Sequence, residues 1–224
     1  MKKTNNTTYV NIPQERIVEL KQFIRGSLLG DGSIAKLGEG AKNHKMTFGH
    51  GSKQQDYLKW KQDYLRSYSL AGDIITKVIS ISKRYKSGEC ISFHFKAKSH
   101  PIFTQFYNLY YSQGKRKIHR KDIRKMNEFA LAIWFMDDGH IWSRKNRTAC
   151  IVLNTTSFRK SDVKYLIQLL YKKWKLNSSY LKTDNCIRIS VESSPVLLEL
   201  IKPYMVKGLE YKWVLNKEEE LLES

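Results

Sequence analysis

"LAIWFMDDGHIW", residues 131–142, joins an apolar run to two adjacent carboxylates and a glycine. The run reads as a buried helix. The C-terminal end of a helix carries partial negative charge, which disfavours acidic side chains there. Gly139 is expected to follow that helix in a left-handed conformation. Asp137 and Asp138 serve no such structural need. A local rule broken without gain in stability marks the place to look for function.

A second stretch has the same form. "FIRGSLLGDGSI", residues 23–34, is again an apolar run closing in Asp-Gly, and Asp31 precedes Asp138 by 107 positions. Ile34 and Ile141 follow at the start of a polar loop. The likeness continues downstream. "QQDYLKWKQDYLRSYSL" and "SDVKYLIQLLYKKWKL" are amphipathic helices, with Tyr57, Leu58, Trp60, Tyr64 and Leu65 on one face of the first. Val163, Leu166, Ile167, Leu170 and Trp174 form the matching face of the second. Strand-like runs follow in each half, and then a proline-led helix in "SHPIFTQFYNLYY" and "SSPVLLELIKPYM". Each half reads helix, strand, strand, helix, strand, strand, helix. The expectation is an α+β protein of two pseudo-symmetric αββαββα halves with antiparallel sheets. Residues 14–111 form the first half, 112–128 a basic linker and 129–224 the second half.

Charge narrows the partners. Forty Lys and Arg against 21 Asp and Glu give a net +19 and an isoelectric point near 9.8. Such an excess suits a polyanion, as in a ribosomal protein, a nuclease or a DNA-binding regulator. Cys90, Cys150 and Cys186 are too widely spaced for a zinc motif and read as buried thiols. No apolar segment is long enough to span a membrane. The N-terminal "MKKTNNTTYVNIPQER" has no apolar core of a secretory signal and no import-peptide pattern.

Small residues, Gly26 and Gly30 on the first helix and Ala130 and Ala132 on the second, favour side-by-side packing of the two apolar helices. With their C-terminal ends level, Asp31 and Asp138 meet. Two carboxylates forced together repel, and a divalent cation removes that penalty. Mg²⁺ takes hard oxygen ligands and leaves places for water and phosphate. The exposed backbone carbonyls of Gly30 and Asp137 can add ligands. In "CISFHFKAK" the polar set Ser92, His94, Lys96 and Lys98 faces away from Ile91, Phe93, Phe95 and Ala97. Arg188 and Ser190 do so in "CIRISV". A two-stranded ribbon fits the DNA major groove, and these side chains suit phosphates and base edges. The linker, with Lys115, Arg116 and Lys117, is a further backbone-contact candidate.

The stretches "IRGSLLGDG" (24–32) and "LAIWFMDDG" (131–139) resemble the paired motifs of the LAGLIDADG homing endonucleases. "WFMDDG" is similar to the second motif of monomeric, double-motif members encoded in mobile introns, and "IVLNTTSF" and "LIKPYM" resemble that subgroup's downstream segments. The resemblance implies a monomer whose motif helices form the central interface, with each half laying a β-sheet saddle on double-stranded DNA. It implies a staggered double-strand cut, with Mg²⁺ held at Asp31 and Asp138. It also implies basic residues near the metals, Lys212 in "EYKW" and Arg116 or Lys115. The family's polar residue after the first strand falls near Gly49, a departure for which His50 or Thr47 can substitute. An RNA maturase binding its host intron is the alternative, and a regulator that has lost cleavage a third reading. Richness in Lys, Asn, Ile and Tyr suggests an AT-rich genome. The expected location is a mitochondrion or plastid, or a bacterial cytoplasm.

Overall fold

In the computed structural model of the chain, residues 10–72, 75–81, 89–142 and 149–212 are described. The first half runs α1 (Gln14–Leu29), β1 (Ser33–Ile34), β2 (Met46–Gly51), α2 (Gln55–Arg66), β3 (Thr76–Ile81), β4 (Glu89–Lys96) and α3 (Pro101–Tyr110). Between the halves lie a small hairpin, β5 (Tyr111–Ser112) with β6 (Lys115–Arg116), and a short helix, α4 (Arg120–Ile123). The second half repeats the first: α5 (Glu128–Asp138), β7 (Gly139–Trp142), β8 (Cys150–Leu153), α6 (Lys160–Trp174), β9 (Ser178–Leu181), β10 (Cys186–Ile189) and α7 (Ser193–Ile201).

Each half carries a four-stranded antiparallel sheet, ordered β1-β2-β4-β3 in the first and β7-β8-β10-β9 in the second. The matching strand orders are the structural form of the internal repeat. Ile34 and Ile141, expected in loops, instead sit in the edge strands β1 and β7. Each pairs with the next strand and so carries its half's chain directly from motif helix into sheet.

Alternation fixes which sheet face is inside. Phe48 of β2 and Phe95 of β4 stack with centroids 4.9 Å apart and are buried. Lys96 and Lys98 are exposed on the opposite side, and His94 is half-buried. In the second sheet Ile187 and Ile189 are buried while Arg188 between them is half-buried. Helices α2 and α6 cover the inner faces through Tyr57, Leu58 and Leu65 and through Val163, Leu166 and Leu170.

The motif helices α1 and α5 pack against each other at the centre. All residues from Phe129 to Asp137 are buried, so α5 is enclosed on every side. Close approach depends on missing side chains. A Cβ at Gly26 would collide with the Ala130 carbonyl and the Ile133 side chain, and one at Gly30 with Asp137. Asn127 caps α5 by accepting from the Ala130 N–H at 3.1 Å.

Two local expectations change. Gly139 is extended, with φ −90° and ψ 151°, because β7 begins at this residue directly after the helix. Its lack of a side chain serves packing instead, since a Cβ would strike Phe135. Pro195 is the third residue of α7 rather than its first, still within the turn whose N–H groups have no helical partner. Pro101 does open α3.

The segment 112–128 carries a folded tie between the halves. Ile118, Ile123 and Met126 join the core. Asp122 accepts from Arg25 Nε at 2.9 Å and Nη2 at 2.8 Å, and from the Tyr110 hydroxyl at 2.9 Å. Burial pushes the Asp122 carboxyl up, but the bidentate guanidinium wins and holds it below its ordinary value. Cys150 and Cys186 are buried free thiols and Cys90 is half-buried. No helix among the described residues is long and apolar enough to cross a membrane.

Candidate active site at the paired helix ends

Because α1 and α5 end level, the two Asp-Gly turns meet. The Asp31 N–H donates to Asp137 Oδ2 at 3.2 Å, across the helix interface. Asp31 points outward with 37% of its side chain exposed, and Asp138 is half-buried beside it. Burial, then the neighbouring Asp137, raises the Asp31 carboxyl to about 6. Burial, then Asp31 and Asp137, raises Asp138 to about 7. Lys212 and Arg116 pull both down without overcoming burial and repulsion. The structure therefore brings Asp31 and Asp138 to one mouth, where Asp137 repels both and Asp31 also repels Asp138.

Asp137 has a different setting. Its side chain is fully buried, with 0% exposure, and turns into the first half. Lys61 Nζ donates to its Oδ1 at 2.5 Å and the Tyr57 hydroxyl at 2.9 Å. Neither partner was foreseen. Lys61 stands four residues after Tyr57 and four before Leu65, so helical spacing alone places it on the buried face of α2.

Each helix end is capped by a basic side chain from beyond the last helix of its half. Arg116 Nη1 donates to the carbonyls of Leu28, Gly30 and Gly32 at 3.0, 3.0 and 2.9 Å. Lys212 Nζ donates to the Asp137 carbonyl at 2.9 Å and to that of Met136. The carbonyls of Gly30 and Asp137, candidate ligands by sequence, thus already accept these bonds, each with a second lone pair left. Burial lowers the Lys212 ammonium below its usual value while Asp137, Asp31 and Asp138 pull it back up. Lys115 is exposed in the hairpin and Lys117 half-buried after it, on the same connection as Arg116.

The two halves differ at the residue facing each motif acid. Extending the β1–β2 register from Ser33↔Thr47 puts Asp31 opposite Gly49, and extending β7–β8 from Gly139↔Leu153 puts Asp138 opposite Asn154. The Asn154 N–H donates to the Asp138 carbonyl at 3.0 Å. In the first half the His94 ring fills the space a side chain at Gly49 would need. His50 takes the inner place: Nδ1 lies 3.1 Å from Gln54 Oε1 and 3.3 Å from Asp31 Oδ2. Thr47 stays in the strand, opposite Lys96. Burial, then Lys61, drops the His50 imidazolium to about 3 against the pull of Asp137. The approach to Asp31 is therefore that of a neutral imidazole rather than an ion pair. Nε2 of His50 is buried without a hydrogen-bond partner, 3.9 Å from Asp137 Oδ1.

Asp31, His50 and Asp137 bring three donor atoms within 4.8 Å of one another. Beside them a cleft of about 650 Å³ opens from Asp138 and Lys212 along His140, Asn154, Thr183 and Asp184. Arg188 lies farther along the same sheet, bordering clefts with Trp142 and Cys150 and with His140 and Asp184. His94 and Lys96 stand on the outer face of the first sheet, and Lys98 follows β4.

Paired acids at twin helix ends, basic caps and two like sheets define a duplicated, double-motif class of nuclease fold. The chain belongs to the LAGLIDADG DNA endonuclease family, whose pattern matches residues 21–197. It is 29% identical over 200 residues to "Cytochrome b mRNA maturase bI2" of Debaryomyces hansenii, covering 87% of this chain and 73% of that one. It is 26% identical over 216 residues to "Probable intron-encoded endonuclease 1" of Wickerhamomyces canadensis, covering 94% and 87%. The solved structure of "the homing endonuclease I-WcaI bound to its DNA recognition sequence" superposes with TM-score 0.74 at 23% identity, over 94% of this chain and 96% of that one. That likeness establishes the fold.

Proposed function

We propose that this chain is a site-specific homing endonuclease that makes a Mg²⁺-dependent, staggered double-strand break in a long DNA target and so promotes intron mobility. The observation that carries the reading is the convergence of Asp31 and Asp138 with carboxyls raised to about 6 and about 7. Such a pair is poorly stabilised by the protein alone and suits a divalent cation with hard oxygen donors. When bound, the cation supplies Lewis-acid stabilisation of phosphodiester oxygens during displacement.

The chain's own residues do the rest. Asp31 and Asp138 hold the cation, with the free lone pairs of the Gly30 and Asp137 carbonyls in reach of the same mouth. Lys212 and Arg116 place positive charge where a phosphate's negative charge grows. Lys96, Lys98, Lys115 and Lys117 bind backbone phosphates, while His94 and Arg188 reach base edges from the two sheets. The net charge of +19 draws the duplex onto these surfaces. Each half serves one strand, so a single chain acts as a monomer. Synthesis in an organelle or a bacterial cytoplasm is part of the same reading, motivated by composition.

The test is to select cleaved duplexes from a randomised plasmid library with Mg²⁺ present, then repeat with Asp31→Asn and Asp138→Asn. A discrete break that both substitutions abolish is expected. Undiminished cutting by both would remove the site assignment. A second reading, an RNA maturase, draws on the maturase relative and on the outer face of α6. Lys160, Lys164, Lys172 and Lys173 are exposed there, and the helix's one acid, Asp162, is buried. Splicing assistance retained by the doubly substituted Asp31→Asn/Asp138→Asn protein would favour it.

A further inference from the structure

Lys61 is a fully buried cation that the proposed chemistry does not use. Taking a lysine out of water is costly unless it is paired. Its partner is the Asp137 carboxylate, so the pair joins α2 of the first half to the last turn of α5 of the second. The same carboxylate receives the Tyr57 hydroxyl on one oxygen and the Asp31 N–H on the other. Asp137 is also the chain neighbour of Asp138. Fixing the Asp137 side chain therefore fixes the rotation of the helix turn that aims Asp138. Fixing the Asp31 N–H fixes the turn that aims Asp31.

Among the described residues the arrangement occurs once. The 107-residue offset between the motifs pairs Asp137 with Gly30, where a Cβ would collide with Asp137 itself. The 108-residue offset between Tyr57 and Tyr165 pairs Lys61 with Leu169, an apolar core residue. Tyr165 has a different task, accepting from Arg124 Nε at 2.9 Å and donating to the Arg120 carbonyl at 3.2 Å. A pseudo-symmetric site is thus held by an asymmetric device.

We infer that Lys61 is a positioning residue: paired with Asp137 inside the first half, it makes that carboxylate the common anchor from which both Asp31 and Asp138 are aimed. This rests on the nuclease reading above, since it assigns Lys61 a purpose in the site those acids form. Lys61 makes no hydrogen bond or ion pair with either acid of the pair: it holds Asp137 by contact and reaches Asp31 only through space, where its charge pulls the carboxyl down.

The test uses Lys61→Met, Asp137→Asn and the double variant. Three readouts are taken: Mn²⁺ binding to the DNA-free protein by the free-ion electron paramagnetic resonance signal, cleavage of the duplex selected by the wild type, and thermal unfolding. Each single variant should weaken Mn²⁺ binding and raise the metal concentration that half-saturates cleavage by about tenfold or more. Affinity for the duplex, measured in Ca²⁺, should stay near wild type. The double variant should recover much of the loss, because the side-chain amide introduced by Asp137→Asn still offers an oxygen to the Asp31 N–H and no buried charge is left alone. Should Lys61→Met fail to fold, Asp137→Asn and the double variant carry the comparison. Variants that melt earlier yet bind Mn²⁺ and cleave like wild type would overturn the inference, leaving the pair a packing feature. A double variant no better than the singles would do the same. A wild type that neither binds Mn²⁺ nor cuts would overturn the nuclease reading itself, and this inference with it.

Discussion

Arg116 and Lys212 hold equivalent posts in the two halves: each leaves the segment after its half's last helix and donates to the terminal carbonyls of that half's motif helix. Both put positive charge at the negative end of a helix dipole, directly beside a motif acid. Capping and catalysis are therefore expected to share one side chain. Arg116→Met leaves three carbonyls without that donor and should cost about 1–3 kcal/mol in urea unfolding. Cleavage should fall by about 100-fold or more, the scale for losing one donor to developing charge. Lys212→Met should show the same double loss. A stability change with unaltered cleavage would reduce both residues to caps.

The raised carboxyl of Asp138 links stability to pH. Its folded value of about 7 lies above the ordinary 3.8, so the folded state holds a proton that the unfolded state has released between those limits. Its contribution is fully present below pH 3.8 and is lost as pH rises through about 7. The charged groups facing it, Asp31, Asp137, Lys212 and Arg116, stay in place in Asp138→Asn. The metal-free melting temperature of wild type minus that of the variant should therefore fall steadily from pH 4.5 to 7.5, roughly the window of the shift. Added Ca²⁺ should raise the wild-type melting temperature more at the upper end. A difference that is flat across the window would show that Asp138 is not the strained acid.

Asp122, buried against Arg25, titrates in the opposite sense. The Asp122 carboxyl is held below its usual value, so its contribution exists above that value and disappears as pH falls through the folded one. Asp122→Ala strands Arg25 in the core, and breaking such a pair should cost about 3–5 kcal/mol. Chemical denaturation at pH 7 and pH 3 separates the two effects: the gap between wild type and variant should narrow in acid. An equal gap at both would assign the loss to packing alone.

The repeat is readable because each motif places its apolar helix, acid and glycine in one unbroken stretch, and because the order of helices and strands along the chain copies itself. What escaped was set by contacts between distant segments. Lys61 lies in "YLKWKQDYL", where a lysine among polar neighbours looks solvated, and only its spacing from Tyr57 and Leu65 hints at the core. Its partner Asp137 comes from 76 residues away. His50 is one of two substitutes for Gly49: the His94 ring covers Gly49 on its own face of the sheet, while alternation along β2 turns His50 inward. Gly139 looked like a left-handed cap, but a strand starting at the helix end removes that need.

Gly30 is where the helix interface meets the site. Its missing Cβ leaves the room that the Asp137 carboxylate fills. Gly30→Ala should force the helix ends apart or turn Asp137 aside, at a cost of about 1–3 kcal/mol for overpacking. Because Asp31 is hydrogen-bonded to Asp137, cleavage should fall further than the stability loss explains, even where the protein is fully folded. Gly26→Ala, one turn away, should lose comparable stability by striking the Ala130 carbonyl, with a smaller effect on cleavage at full folding. Circular dichroism melts paired with cleavage rates under folding conditions compare the two. Equal cleavage losses at equal stability would mean that the helix ends are not more sensitive than the middle of the interface.

The sheet faces make an electrostatic prediction. Lys96 and Lys98 are exposed on the outer side of the first sheet. If they neutralise backbone phosphates, each substitution to Ala should weaken duplex binding across sequences and reduce the slope of log affinity against log salt by about 1. Arg188 is half-buried between Ile187 and Ile189 on the second sheet, and on the proposed reading it contacts a base edge rather than a phosphate. Arg188→Ala should instead relax specificity at one or two base pairs, at about 1–3 kcal/mol for the base it contacts. Binding to the selected duplex and to single-base variants, over a salt series in Ca²⁺, distinguishes the two behaviours. A salt slope unchanged by Lys96→Ala and Lys98→Ala would place the duplex elsewhere on this basic surface, because released counterions report every phosphate a lysine has neutralised, whatever the sequence bound.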